Sequence, residues 1–358
     1  MGKTLRAIFF GVAAVAFIIT LGGTLLLQVI RQPASTDETP VEFVVDPGSS
    51  TSSIAADLAK AGIIRQPLLF TLLVRAEGLD GSLQAGRFQL RPAMTMSEVI
   101  AALQYSRIEE VQLTIVEGSR IEEIAEQLGA AGLANIDERS FLAAARSGDT
   151  FRDGHFLLGS LPDGASLEGY LFPDTYRFAA TATVTEVVEI MLDRFDGQYT
   201  TFEREVQVTV SVHELVTMAS IVQREAVREQ EMPRIASVFW NRLRPENAPE
   251  TGGGRLQADP TVQYVLGQRG GWWPKLDSLS ANEINGLNSP YNTRAVIGLP
   301  PGPISNPGID ALRAAAVPDS ANYLYFVASC TDRGAHNFAT TFEEFQRFEQ
   351  EYLQCTAP

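Results

Sequence analysis

The densest chemical signal in the chain is a lone carboxylate set among aromatic residues, Ser166-Leu167-Glu168-Gly169-Tyr170-Leu171-Phe172-Pro173-Asp174-Thr175-Tyr176. Partial burial among Leu, Tyr, Phe and Pro disfavours the charged form and raises a carboxyl pKa. A Glu that keeps its proton near neutral pH is what a general acid for glycosidic cleavage needs. Gly169 removes a side chain where a bulky ligand would approach. Tyr170, Phe172 and Tyr176 offer ring faces for sugars, and Pro173 stiffens the loop. Asp174, close by in sequence, can position Glu168 or act as a second carboxylate. The same composition also suits a surface turn whose Glu is solvated, so composition alone leaves both readings open.

Other candidates carry equally plain alternatives. Glu225 closes an apolar helix (Leu215, Met218, Ala219, Val222), facing either a cleft or solvent. Asp259 before Pro260, with Gly267 after Leu266, has the pattern of a helix cap, a first-turn proline and a glycine stop, which leaves Gln257 as the better substrate contact. Asn306-Pro307 ahead of Ile309 to Ala316 likewise reads as a cap. Tyr291 and Asn292 sit on a loop with no helix or strand logic, which favours a hydrogen bond to sugar or peptide. Metal chemistry finds little support. His155, His213 and His336 with Cys330 and Cys355 lack zinc-cluster spacing, and Thr217 stands where a zinc-protease helix begun by His213-Glu214 needs its second His. With 28 Lys+Arg against 43 Asp+Glu and a net charge of −15, the chain is also a poor ligand for nucleic acid.

These residues need a scaffold, and 358 residues with 45% hydrophobic and 20% charged content suggest two or three globular domains. Residues 7–30 contain no charge and would make roughly 36 Å of helix, enough to cross a hydrocarbon core of about 30 Å. The stretch is too long for a signal-peptide core and ends without a small-x-small cleavage site. Lys3 and Arg6 before it and Asp37 and Glu38 after it predict a cytoplasmic tail over 1–6 and an extracytoplasmic body. There, Cys330 and Cys355 can form a disulfide or remain as two thiols. Residues 31–40 read as a short polar linker.

An internal repeat follows. Phe43-Val44-Val45-Asp46-Pro47-Gly48-Ser49 leads into Ile54, Ala55, Leu58 and Gly62; seventy residues later, Leu113-Thr114-Ile115-Val116-Glu117-Gly118-Ser119 leads into Ile124, Ala125, Leu128 and Gly132. Each copy predicts a strand, a glycine turn, a helix capped by Ser or Thr, and a glycine stop. Between the copies, 68–75 and 97–103 read as helices and 85–90 as a strand. The first copy resembles a LysM-like module, a small α+β unit that in many proteins holds N-acetylglucosamine polymers. Beyond about residue 140 the pattern alternates helices (185–195, 213–227, 231–242) with Gly/Pro-rich loops, then a strand over 323–327 and a helix over 342–353.

The segment from Leu167 to Tyr176 resembles the signature of the endolytic murein transglycosylase family (MltG, or YceG-like). Met218 to Glu225, Ala236 to Leu243, Leu256 to Val262 and Ser289-Pro290-Tyr291-Asn292-Thr293 through Gly298 to Gly308 agree in order and spacing. So do Tyr323 to Val327 and Gly334-Ala335-His336-Asn337-Phe338. Arg294 departs from the aromatic residue often found there and could instead meet a stem-peptide carboxylate. The resemblance implies cleavage of the β-1,4 bond between N-acetylmuramic acid and N-acetylglucosamine within a strand. In that reaction the muramoyl C6 hydroxyl attacks C1 and leaves a 1,6-anhydro ring, with Glu168 as acid and then base and with no cofactor or metal. The substrate contacts it suggests are Tyr170, Phe172, Asp174, Glu225, Gln257, Tyr291, Asn292 and His336.

The expected architecture is α+β: a transmembrane helix over 7–30, a LysM-like domain over 41–110 and a mainly helical catalytic domain over 111–355. The expected partners are peptidoglycan strands, the membrane through residues 7–30, and peptidoglycan synthases. Two other functions suit the same residues: a glycan-binding anchor without turnover, and a muramidase-type hydrolase with a second carboxylate.

Overall fold

The computed structural model describes residues 28, 30–104 and 110–356. The fold is α+β, with three separate two-stranded antiparallel sheets among many helices. Residues 7–30, where a transmembrane helix is expected, lie outside the described residues apart from 28 and 30; among those described, no helix is long and apolar enough to cross a membrane. Chain contacts divide the molecule between Glu109 and Glu110.

In the first unit, strand β1 (Val41–Val45) buries Phe43 and Val45 and exposes Glu42 and Val44, the period of two that one covered face requires. Gly48 turns the chain at φ +79° into helix α1 (Thr51–Lys60), whose N-cap Ser50 accepts a bond from the Ser53 amide at 3.2 Å. Helix α2 (Pro67–Ala76) and strand β2 (Gly86–Leu90) follow, with Phe43 opposite Phe88. Helix α3 (Met96–Leu103) is closed by a Thr95–Glu98 capping box. Ile54, Leu58, Phe70, Val74, Phe88 and Ile100 fill the core.

The second unit begins with the same order of elements. Strand β3 (Glu110–Thr114), helix α4 (Ile121–Ala130), helix α5 (Glu138–Ala145) and strand β4 (Thr175–Ala179) form a strand, two helices and an antiparallel strand, with Leu113 opposite Tyr176. The connection into the last strand differs. It spans residues 77–85 in the first unit and 146–174 in the second, where it carries Glu168. The expected Ser or Thr cap fails in the second copy: α4 is preceded by Arg120, whose side chain offers no acceptor.

The rest is helical: α6 (Val184–Thr200), α7 (Val212–Glu225), α8 (Met232–Leu243), α9 (Asp259–Leu266), α10 (Ala281–Asn285) and α11 (Ile309–Ala316). Helix α7 is buried continuously from Leu215 to Val222 and forms the centre of the unit. Helix α11 packs on it with Ala311, Ala314, Ala315 and Ala316 buried, small side chains that let two helix backbones approach closely. A hairpin of β5 (Tyr325–Ala328) and β6 (His336–Ala339) and helix α12 (Phe342–Thr356) close the chain, joined by a Cys330–Cys355 disulfide.

Candidate active site

The site is assembled from the middle of α7 outward. Ser220 on this helix accepts the Ile304 amide at 3.0 Å, and its carbonyl takes the Ser305 hydroxyl at 3.2 Å. The extended segment so fixed ends in Asn306, whose amide donates to Ser119 O at 2.8 Å and whose carbonyl accepts from Gly118 at 2.8 Å. Two loops distant in sequence are thereby locked together, one before α4 and one before α11.

Asn306 then organises a third loop. Its Oδ1 accepts both the Gly169 and the Leu171 amides at 2.9 Å, while its Nδ2 donates to Ser119 O at 2.9 Å and to Glu168 Oε1 at 3.0 Å. Gly169 sits at φ +90°, and a Cβ there would lie 2.5 Å from Pro303 Cγ and 2.8 Å from Val216 Cγ1, so only glycine fits. The Glu168 carboxyl also receives the first amide of α4, Ile121 N–H, at 3.1 and 3.3 Å.

Glu168 is 1% exposed. Burial holds its pKa well above the ordinary carboxyl range, and the neighbouring Glu122 pushes the same way; the Ile121 amide and Arg120 oppose them without reversing the shift. The shift favours the protonated form that a general acid needs, yet the donors that would stabilise its anion are already in place. Glu122 and Glu123 are both committed: the first pairs with Arg120 Nε at 3.2 Å, and the second accepts the Arg120 amide at 3.0 Å and Trp273 Nε1 at 3.1 Å.

Aromatic residues from α9 and two loops surround this centre. The Tyr264 and Tyr291 rings lie 5.0 Å apart, and burial with the nearby Glu168 charge pushes the Tyr291 phenol up to about 12 and Tyr264 further still. The Arg120 guanidinium lies 4.1 Å from the Tyr264 ring centroid and 4.9 Å from that of Trp272. Among the described residues, no group of three or more His, Cys, Asp or Glu is placed to hold a metal.

The sequence candidates fall into three places. Glu168 and Tyr291 belong to this centre. Glu225 and Gln257 line a second cleft, in which burial and the adjacent Asp259 push Glu225 up to about 8. The others serve the scaffold. Tyr170 is wholly buried with its hydroxyl 3.1 Å from His213 Nδ1, and Phe172 is 5% exposed, so neither presents a free ring face to a sugar. Tyr176 is buried as well and donates to Phe172 O at 2.5 Å. Asp174 accepts Arg194 Nε at 2.6 Å rather than bonding Glu168. Asn292 is fully buried, and its Nδ2 donates to Ile284 O at 2.8 Å and Leu287 O at 3.1 Å, bracing its own loop. His336 Nδ1 bonds Glu231 at 2.8 Å beside the β5–β6 hairpin.

Both expected caps are corrected. Asp259 is ion-paired with Arg294 and occupies the first turn of α9, which has no side-chain cap. Gly308 precedes α11, and Asn306 instead binds the Glu168 loop. Asn306, Arg120 and Tyr264 are the site residues that the sequence reading missed. Arg120 had left a trace, because it interrupts the repeat where the first copy has Ser50.

Comparison with known proteins defines the class. The profile of the YceG-like family matches residues 43–351, and the chain belongs to that family. It is 31% identical over 349 residues to a Bacillus subtilis protein named endolytic murein transglycosylase, covering 94% of this chain and 91% of that one. A Streptococcus pneumoniae protein of the same name is 28% identical over 330 residues, of which this chain spans 57% of the length. The crystal structure of a YceG-like protein from Listeria monocytogenes superposes with a TM-score of 0.55 at 30% identity, covering 87% of this chain and 99% of that one.

Proposed function

We propose that the chain is a lytic transglycosylase that cuts β-1,4 bonds between N-acetylmuramic acid and N-acetylglucosamine inside peptidoglycan strands and leaves 1,6-anhydro ends. The observation that supports this reading is the buried Glu168, its pKa raised by burial, held by Ile121 N–H and Asn306 Nδ2 with no second carboxyl bonded to it among the described residues. The names of the relatives point to the same reaction.

The chemistry needs one carboxyl used twice. Glu168 gives its proton to the departing O4 as the C1–O4 bond breaks, which frees the N-acetylglucosamine hydroxyl. The muramoyl O6 then bonds C1, and its proton passes to the Glu168 carboxylate, restoring the acid without water. Between these steps the two preset donors and the positive end of α4 stabilise the anion. Glu122 and Glu123 bond Arg120 and Trp273, and Asp174 bonds Arg194, contacts that compete with any role in activating a water.

The uncharged stretch over 7–30 supports a single membrane anchor, with residues 1–6 cytoplasmic and the body outside, where the strands are. A protease-protection assay in cells should find the C-terminus extracytoplasmic. Mass spectrometry of digested strands tests the reaction. Anhydro ends on fragments of many lengths are expected; reducing ends heavier by one water would mean hydrolysis, early disaccharides alone would mean attack from strand tips, and intact strands would mean binding without turnover.

A further inference from the structure

Glu225 has no part in the chemistry above, yet it is partly buried and lines a cleft of about 400 Å³. One side of the cleft is aromatic: Tyr325 from β5 lies 5.8 Å from Phe342 and 5.4 Å from Phe345 of α12, ring centroid to ring centroid. The Cys330–Cys355 disulfide ties this helix to the hairpin connection, so the wall is covalently braced. The opposite side is polar, with Glu225, Gln257, Asp259, Arg242 and Arg294, and Glu349 stands at the mouth.

Which of these groups can serve a ligand follows from the bonds already made. Arg242 spends Nε on Arg255 O at 2.9 Å, Nη1 on Leu324 O at 2.9 Å and Nη2 on Gln257 Oε1 at 2.5 Å. Arg294 is closed onto Asp259. Arg294 is thus ion-paired inside the protein, and Arg242 has its Nε, Nη1 and Nη2 each occupied by a neutral oxygen. Glu225 receives the Asp259 amide and feels the nearby Arg294 charge, and the Glu349 side chain is exposed. The unspent capacity is acidic and is lined by ring faces, a combination that suits a cation on an aliphatic stem.

We propose that this cleft binds the primary ammonium of a peptide side chain, supplied by the diamino residue of a peptidoglycan stem. The source of the amine rests on the murein reading above. The ammonium bonds the Glu225 carboxylate, its methylene stem lies along Tyr325 and Phe345, and Glu349 draws it in. The framework is shared with the catalytic centre. Helix α9 gives Tyr264 to one and Asp259 to the other, and the loop after α10 gives Tyr291 to one and Arg294 to the other. A strand held at Glu168 therefore has its peptides read by the same elements. Glu225 is faced by Asp259, Arg294, Arg242, Tyr325 and Glu349, and its value of about 8 means that seating a cation at pH 7 expels most of a proton.

The test is calorimetric titration of the full chain in detergent with the tetrapeptide L-Ala-γ-D-Glu-L-Lys-D-Ala and with its Nε-acetylated form, each supplied up to millimolar concentration. Expected results are binding of the free amine at least tenfold tighter than the acetylated peptide, and buffer-dependent heat that reports proton release. Glu225→Gln should abolish that release and weaken binding about tenfold. Glu349→Gln, an exposed change that does not threaten folding, should weaken binding severalfold. Equal affinity for the two peptides, no binding of either, or wild-type affinity in Glu349→Gln overturns the proposal. Digestion products report on Glu168 independently: anhydro ends without peptide binding sink this site alone, and hydrolytic ends sink the reaction while leaving the binding result intact.

Discussion

Ser50 and Arg120 stand seventy residues apart at one position of a repeated turn, and the two turns are otherwise closely alike. In each, a glycine near φ +78° (Gly48, Gly118) follows a strand, the next amide closes back three residues (Ser49 to Asp46 at 3.1 Å, Ser119 to Val116 at 3.2 Å), and the helix starts at the same offset. In the first unit the helix caps itself through the Ser50 hydroxyl. In the second, Arg120 brings no acceptor, and the leading amide of α4 goes to Glu168 from the inserted loop. The Arg120 side chain turns to Tyr264 and Trp272 instead. Arg120 at the cap position places a guanidinium among the aromatics of the site, beside the Ile121 amide that bonds Glu168.

Removing the acid gives the largest expected difference between the units. Glu168→Gln keeps the shape and can accept the Ile121 amide but cannot move a proton, so anhydro-product formation should fall about 10²–10⁴-fold. Activity within threefold of wild type would sink the assignment. The raised pKa fixes the sign of two pH effects. Wild-type activity falls as pH rises through the folded-state pKa, because the acid is lost. Stability moves the same way: the folded state holds the proton more tightly than the unfolded one, so the contribution is full below the ordinary carboxyl range and is lost as pH rises through the folded value. Thermal melting across pH should show less of that loss in Glu168→Gln.

Asn306→Ala attacks the connection between the loops. It leaves the buried Gly169 and Leu171 amides without an acceptor, at about 1–3 kcal/mol each, for a total loss of about 2–5 kcal/mol by denaturant titration. It also removes one donor to Glu168, so the alkaline fall in activity should shift to higher pH. A loss of stability without that shift would make Asn306 a brace only.

Glycine substitutions sharpen the contrast between a turn and a site. Gly169→Ala places a methyl against Pro303 and Val216 at φ +90° and should cost about 2–4 kcal/mol, with activity falling as the carboxyl is displaced. Gly48→Ala meets nothing within 4 Å at φ +79° and should cost about 1–2 kcal/mol from backbone strain alone. Equal losses would mean that the close packing behind Glu168 contributes little.

The sequence carried local features further than tertiary ones. The strand around Phe43 to Val45 and the glycine turns (Gly48, Gly118) and stops (Gly62, Gly132) of the repeat are set by neighbouring residues, and each lies where it was read. Glu168 stood out as a candidate because its motif is short and dense. Tyr170 and Phe172 misled for the same reason: aromatic residues beside an acid look like a sugar platform, but whether a ring faces outward depends on α6 and α7, which pack over them from elsewhere in the chain. Asn306 was read as a cap because Asn before Pro and a helix is a common local pattern, whereas its partners Ser119, Glu168, Gly169 and Leu171 lie more than a hundred residues away. Asp259 failed similarly, since its Arg294 partner enters from another loop.

The smallest effect concerns the cap that the first unit keeps. Ser50→Ala removes the acceptor for the Ser53 amide at an exposed helix start, where water can replace it in part, and should cost about 1 kcal/mol. In a unit of this size that lowers the melting midpoint by about 4–8 °C. Cleavage of purified strands should not change, because in the first unit the cap serves α1 alone. Arg120→Ser gives the second copy the hydroxyl of the first and makes the complementary measurement. The new hydroxyl can cap Glu123 N–H, as Ser50 caps Ser53, while Ile121 N–H stays with Glu168. Any gain of about 1 kcal/mol is set against the lost contacts of the guanidinium with Tyr264, Trp272 and Glu122. Turnover should drop in Arg120→Ser even where stability is unchanged, since the aromatic surround of Glu168 loses the group packed against it. If Arg120→Ser retains full turnover, position 120 is an ordinary cap in both units, and the division between a self-capped turn and one adapted to the acid fails.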